Sequence, residues 1–414
     1  MTNIDFEGRG DQVESLPELT DRLNGIQGTF QKTTETFQVE EIPAYEPNGS
    51  GPHLYFEVTK ENLTTSGAIE EIANWMNVSP REIGRAGRKD KHARTTQRMS
   101  LEHADEDRID AFEHDRMELK ILDWHRNKLK PGHLRGNHFR VRIRDVQPGA
   151  ESNVETILRT LRERGVPAYY GPQRFGDRNK NAELGQAMLD NKLDEFVELF
   201  LGQPVEQDPE PCYRARELFD EGQYEQAIDA WPARNDVERR ALATYIDTGS
   251  AKPVLSSIPK GLRQLFINSV QSQLFNHQVA DRVRKLDQVW VGDIAKKTDT
   301  GGMFEVEKKQ EEQARCDRWE ISPTGLLTGP DNWHASGKQG NLEKTLLDQF
   351  NLPEEAFEKV SYLNVSSLRR PLRLPLGDVD YRVETNKNCT DFIVEWTLPS
   401  GGYATVVLKE IMDS

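Results

Sequence analysis

The chain is 414 residues long and sets 54 Lys and Arg against 69 Asp and Glu, a formal net charge of -15. That length supports two or three compact domains with a core in each, and the acidic total excludes a uniformly basic nucleic-acid-binding protein. No apolar run approaches the roughly 20 residues of a membrane span.

The opening "MTNIDFEGRGDQVESLPEL" lacks a cationic start followed by an apolar stretch, so no membrane association is expected and the expected location is the cytoplasm. Further on, "HLYFEVTK" alternates Leu54, Phe56 and Val58 on one side, the period of a strand. Next comes "GRAGRKDKHARTTQ", where a single carboxylate, Asp90, sits among Arg85, Arg88, Lys89, Lys91 and Arg94, with Arg98 just beyond. A second basic island, Trp124 to Arg144, holds Arg126, Lys128, Lys130, Arg135, Arg140, Arg142 and Arg144 with no acid between them. Composition alone makes such runs ordinary solvated faces.

The end of that island, "NHFRVRIRDV", alternates Phe139, Val141 and Ile143 against Arg140, Arg142 and Arg144. A strand is expected, with an arginine comb spaced about 6.6 to 6.8 Å that suits a phosphate backbone. "ESNVETILRTLRERG" places Val154, Ile157, Leu158 and Leu161 at helical spacing and stops on Gly165. Between Pro209 and Gly249 the pattern reads as a helical hairpin of two amphipathic helices, and "FINSVQSQLFNHQVADRVRK" as a further long helix.

From Lys296 to Arg318 the chain is polar, a surface excursion with one strand at "MFEVE". Finally "TDFIVEWTLPSGGYATVVLKEI" gives a strand through Phe392, Val394 and Trp396, a tight turn, and a helix bearing Ala404, Val407, Leu408 and Ile411. Strands at both ends around a helix-rich middle indicate an α+β domain interrupted by an inserted one. Cys212, Cys316 and Cys389 are far apart, so reduced core cysteines are expected. No His or Cys spacing fits a metal, and none is expected.

Several stretches, in order, resemble the TruD family of pseudouridine synthases. "GRKDKHARTTQ" resembles its catalytic-aspartate motif, "RGNHFRVRIR" its Gly-Asn-x-Phe strand, and "GVPAYYGPQRFG" its most recognisable signature. "QSQLFN" and "ISPTGLLTG" are similar to motifs of the family's insertion, and "LPSGGYATVVLKE" to its closing motif. Departures are Ala168 for the usual Asn, Gln273 for Tyr and Gly402 for Ser.

The resemblance implies a pseudouridine-synthase core split by an inserted TRUD α/β domain, divided at 1–164, 165–374 and 375–414. It implies an isomerase that converts a D-arm uridine of tRNA, position 13, to pseudouridine with no cofactor and no protein partner. The alternatives are the same chemistry on another RNA, and a non-catalytic RNA-binding or chaperone module.

Asp90 matches the family's catalytic aspartate, although spacing alone would make it a turn residue. A carboxylate, with an ordinary pKa of about 4, is a nucleophile that needs no separate base at neutral pH. Lys409 is expected as its ionic partner where the family has Arg. Lys32 matches another family position, expected to contact phosphate or the aspartate. Phe37, Phe139 and Tyr403 are the expected base pocket, and Asn137 the base contact. Each aromatic taken singly reads equally as core. Arg88, Lys89, Lys91, Arg140, Arg142 and Arg144 are expected on the RNA backbone.

Overall fold

A computed structural model describes residues 16–412 apart from 148, 150, 387 and 388. The chain forms two compact units, each described by itself: residues 16–18 with Pro167–Arg373, and Leu19–Val166 with residues 374–412. Residues 16–18 thus join the inserted unit, where the Tyr169 hydroxyl donates to the Pro17 carbonyl at 2.9 Å.

The split unit is built on a mixed sheet. Its first part contributes β1 (Phe37–Pro43), β2 (His53–Glu61), α1 (Thr65–Met76), β3 (Gly84–Arg85), β4 (Arg94–Glu102), α2 (Glu106–Asp110), β5 (Met117–His125), β6 (Leu134–Ile143) and α3 (Glu151–Arg164). Its last part adds the hairpin strands Gly377–Asn386 and Cys389–Pro399 and the closing helix Ala404–Ile411. The hairpin lies beside β6, with Trp396 opposite Phe139, and the order continues through β1, β4, β2 and β5.

The period-two residues do what their spacing requires. Leu54, Phe56 and Val58 are buried against Ile69, Ile72 and Met76 of α1. That helix starts at Thr64, whose hydroxyl accepts from the Gly67 N–H at 3.0 Å, and ends at Asn77 in the left-handed region. Phe139, Val141 and Ile143 are buried on one side of β6. The "GGY" turn begins with Gly401 at a φ of 86°, a conformation that favours glycine.

The inserted unit packs helices around Lys260–Arg282 and a four-stranded sheet in which Ile321–Leu327 is central and wholly buried. Buried polar groups fix the helix in register: Gln278 exchanges bonds with the Leu326 N–H and carbonyl at 2.8 Å each, and Asn276 does the same with Tyr170 at 2.8 and 3.0 Å. Arg174 and Phe175 of "QRFG" face this helix, the Arg174 Nε donating to Ser272 at 2.9 Å, so the motif is a packing hub within the unit.

Two local readings change. The hairpin expected between Pro209 and Gly249 is three helices, Glu210–Asp220, Tyr224–Ala230 and Asp236–Thr248, because Gly222 at a φ of 75° breaks the first. The excursion after Lys296 has its strand at Met303–Glu305 but also a helix, Lys309–Asp317, anchored by the buried Cys316. Cys212 and Cys316 are buried and free, while the Cys389 side chain lies outside the described part of the structure. Among the described residues no helix is long and apolar enough to cross a membrane, and no cluster of His, Cys, Asp and Glu could hold a metal ion.

Candidate active site

The site lies where the sheet opens. β1 runs parallel to β4 at Gln38–Glu40 beside Arg94–Thr96, and β3 takes over at Met99 and Ser100. At the gap the Arg98 N–H donates to the Glu41 carboxylate, 3.2 Å away. The loop 86–93 leaves the sheet here and carries Lys89 and Asp90.

Both sides of Asp90 are pinned. The Lys89 N–H donates to the Thr65 hydroxyl at 2.8 Å, which donates to Gln97 at 2.9 Å, and the Gln97 amide reaches the Gly87 carbonyl at 3.3 Å. The Lys89 ammonium donates to Asn137 Oδ1 at 2.6 Å and lies 3.1 Å from Glu41 Oε2. The latter is an ion pair without aligned hydrogen-bond geometry, since Glu41 Oε2 has no hydrogen-bond partner. The Lys89 and Glu41 side chains are only 4% and 1% exposed. Lys89 is therefore a buried structural cation, which corrects its expected place on the RNA backbone.

On the far side, Lys60 at the end of β2 is 0% exposed. Its ammonium donates to the Asp90 carbonyl at 2.9 Å and the Leu63 carbonyl at 2.6 Å. Burial pulls its pKa down to about 8, against the opposing pull of Asp90. An unfolded lysine titrates near 10.4, so between those values the unfolded chain binds the extra proton and stability rises with pH.

Lys60→Met should therefore change the stability gap in the wild type's favour, by about 2 kcal/mol, as pH rises from 8 to 10. Denaturant melts of both proteins at several pH values check this, and a constant gap would mean that Lys60 does not titrate in that window. The wild-type reaction rate should also fall above about pH 8, as the charge holding the Asp90 backbone is lost, with no such fall in Lys60→Met.

The Asp90 carboxylate itself is bonded by Lys32, Nζ to Oδ1 at 2.5 Å, with the two side chains 28% and 25% exposed. The same ammonium stands 4.5 Å from the centre of the Phe37 ring. Lys32 thus meets the aspartate as expected of it, because the segment preceding β1 lays it over Phe37. Lys409 stands half-buried in the last turn of the closing helix.

Phe37 and Phe139 pack 6.2 Å apart in a row that runs from Phe30 to Trp396. Both are nearly enclosed, 3% and 4% exposed, so they back the site and do not offer an open ring face. Asn137 and Tyr403 are half-buried. Tyr403 ends the turn whose Ser400 N–H bonds the Arg135 carbonyl at 3.0 Å. The preceding Gly136 is required by close approach, since a Cβ there would lie 2.1 Å from the Leu398 carbonyl oxygen.

The arginine comb of β6 stands on one side as its period demands, but each member meets carboxylates. Arg142 bonds Asp391 at 2.8 Å and Glu384 at 2.9 Å, Arg144 bonds Glu35 at 2.8 Å, and Arg140 lies 3.6 Å from Glu395. Those charges are already answered within the sheet, which alters the comb's expected role. Arg88 and Lys91 are exposed on the Asp90 loop.

A family model, "tRNA pseudouridine synthase D (TruD)", matches residues 17–411. The chain is 36% identical over 395 residues to a protein of Geobacter metallireducens named tRNA pseudouridine synthase D, covering 95% of this chain and 97% of that one. It is 35% identical over 402 residues to one of the same name from Thermus thermophilus, covering 96% and 92%. A solved structure of a Methanosarcina mazei protein described as tRNA pseudouridine synthase D superposes with a TM-score of 0.80 at 26% identity, covering 96% of this chain and 95% of that one.

A mixed sheet interrupted by a helical insertion, with a tethered aspartate at the sheet's opening, defines an isomerase of the pseudouridine synthase class. Within that class, the chain belongs to the tRNA pseudouridine synthase D (TruD) family.

Lys60, Glu41, Thr65 and Gln97 are the site residues that sequence reading missed. The signal was present for two of them. Lys60 continues the inward stripe of Leu54, Phe56 and Val58, and Glu41 continues that of Phe37 and Val39. A charge in register with buried apolar residues is placed there at a cost and has a partner to meet it.

Proposed function

We propose that the protein converts uridine 13 in the D-arm of tRNA to pseudouridine, with Asp90 as nucleophile. The observation that carries this reading is the Lys32–Asp90 pair, 2.5 Å long and a quarter open to solvent, on a loop otherwise tied down on both sides. The names of the relatives support tRNA as substrate, and position 13 is the usual target of the family the motifs resemble.

The isomerisation breaks the C1′–N1 bond and makes a C1′–C5 bond, and a proton leaves C5 while N1 gains one. Composition is unchanged, so the step balances without oxidant or reductant. Asp90 lends an electron pair to a covalent intermediate and recovers it on release. Lys32 aims the carboxylate, and Lys60 holds the backbone beneath it.

The target base must leave its stack to reach this depth. An ammonium can only donate, so Lys89 fixes Asn137 with Oδ1 turned inward. The Asn137 amide N–H groups then face outward, matched to a carbonyl oxygen of uracil. Tyr403 supplies the accessible ring face, and Phe37 and Phe139 form the wall behind it.

The test offers three unmodified transcripts: a tRNA, the same tRNA without its D-arm, and an unrelated hairpin with uridine in its loop. Conversion should occur in the first alone. Conversion of the hairpin at a comparable rate would move the substrate to RNA at large.

A further inference from the structure

Two groups of arginines and lysines in the catalytic unit differ in how their charge is met. Arg140, Arg142 and Arg144, at and beyond the end of β6, are met by Glu35, Glu384, Asp391 and Glu395. By contrast Arg81, Arg88, Lys91, Arg126, Lys130 and Arg135 are all exposed and take part in no ion pair among the described residues. The chain carries 69 acidic side chains against 54 basic ones, so carboxylates to neutralise them are not in short supply. Leaving like charges unmet on adjoining segments raises the energy of the folded state unless an external anion meets them.

Five of these six lie on two adjoining segments, 81–91 and 126–133, and Arg135 follows on β6. The Gly132 N–H donates to the Ala86 carbonyl at 2.8 Å, and the Lys128 ammonium to the Arg81 carbonyl at 2.6 Å, which joins the loop 126–133 to the loop 81–91. Leu129 is 4% exposed, packs with Tyr55 and Ala86, and donates its N–H to the Ser100 hydroxyl at 2.9 Å. The loop is thus pinned by one apolar side chain and presents Arg126 and Lys130 outward from a fixed base. Arg135 lies two residues before Asn137 on the same side of β6, about 6.6 to 6.8 Å along the strand. Arg88 and Lys91 bracket Asp90 in its own loop.

We propose that this ridge, and not the arginine comb of β6, holds the RNA phosphates that flank the target uridine. The proposal rests on the tRNA reading above and assigns its electrostatic surface. Each phosphate neutralised releases condensed counterions, so the logarithm of the binding constant falls with the logarithm of salt concentration at a slope of about -0.7 to -0.9 per contact. The ridge cations are fixed by backbone anchoring, so they meet phosphates without the ordering cost of a mobile tail.

The experiment is a salt titration of the dissociation constant for an unmodified tRNA transcript. It uses the wild type, the triple variant Arg126→Ala/Lys130→Ala/Arg135→Ala, and the comb pair Arg140→Ala/Arg144→Ala, with thermal melts to verify folding. The triple variant should show a slope shallower by about 2 to 3, and the comb pair the wild-type slope. A triple variant that keeps the wild-type slope, or a comb pair that loses as much, overturns the ridge. If the wild type binds and converts tRNA while the triple variant is unchanged, the ridge alone falls. If the wild type does neither, the tRNA reading falls and the ridge with it.

Discussion

Asp90→Asn is expected to abolish conversion, lowering the single-turnover rate by at least roughly 10⁴-fold, while the protein still folds and binds tRNA. Asparagine keeps the shape of the side chain, and its Oδ1 can still accept from the Lys32 ammonium, so the 2.5 Å contact has a structural successor. The backbone anchors at Lys60 and Thr65 do not involve the side chain at all. What disappears is the anionic nucleophile. Removing a negative charge from a cationic surface also lessens repulsion of phosphate, so affinity should hold or tighten by a few-fold. Equal loss of binding and rate would instead mark Asp90 as a structural residue.

Lys89→Met should be the most damaging change to stability. It removes the counter-ion of Glu41, whose side chain is 1% exposed, and leaves Asn137 Oδ1 without its donor. Breaking a buried pair from one side costs about 3 to 5 kcal/mol, which lowers the melting temperature of a unit this size by about 10 °C. Adding Glu41→Gln should restore part of the loss, because the stranded charge is then gone. The salt slope for tRNA should not move. A variant of wild-type stability whose slope is shallower by about one would return Lys89 to the RNA backbone.

What the sequence made legible was whatever depends on local period. The strands through Leu54–Val58 and Phe139–Ile143, the long helix through Ile267 and Leu274, and the closing strand and helix were all visible, because burial on one side imposes a repeat of two or 3.6. The sequence also singled out Asp90 as one acid among many cations. It did not show which cations were already committed. Arg142 looks like its neighbours in sequence, yet its carboxylates are Glu384 and Asp391, more than 240 residues away on a hairpin whose first strand, Gly377–Asn386, has no clear apolar period.

The same limit hid the division of labour around the aspartate. Lys32 and Lys409 are both single lysines near family motifs, and only the path of the chain over Phe37 puts Lys32 on the carboxylate. Phe37 and Phe139 could be named as aromatics of the site, but that they pack against each other, buried in the sheet, depends on β1 pairing with β6.

The most direct measurement is nucleotide-resolution mapping of pseudouridine in an unmodified tRNA transcript after incubation with the wild-type protein, beside a second transcript carrying cytidine at position 13. The predicted result is near-stoichiometric conversion at position 13 of the first transcript and none anywhere in the second. Conversion at other uridines of both transcripts, or tight binding of the first with no conversion at all, would contradict the account.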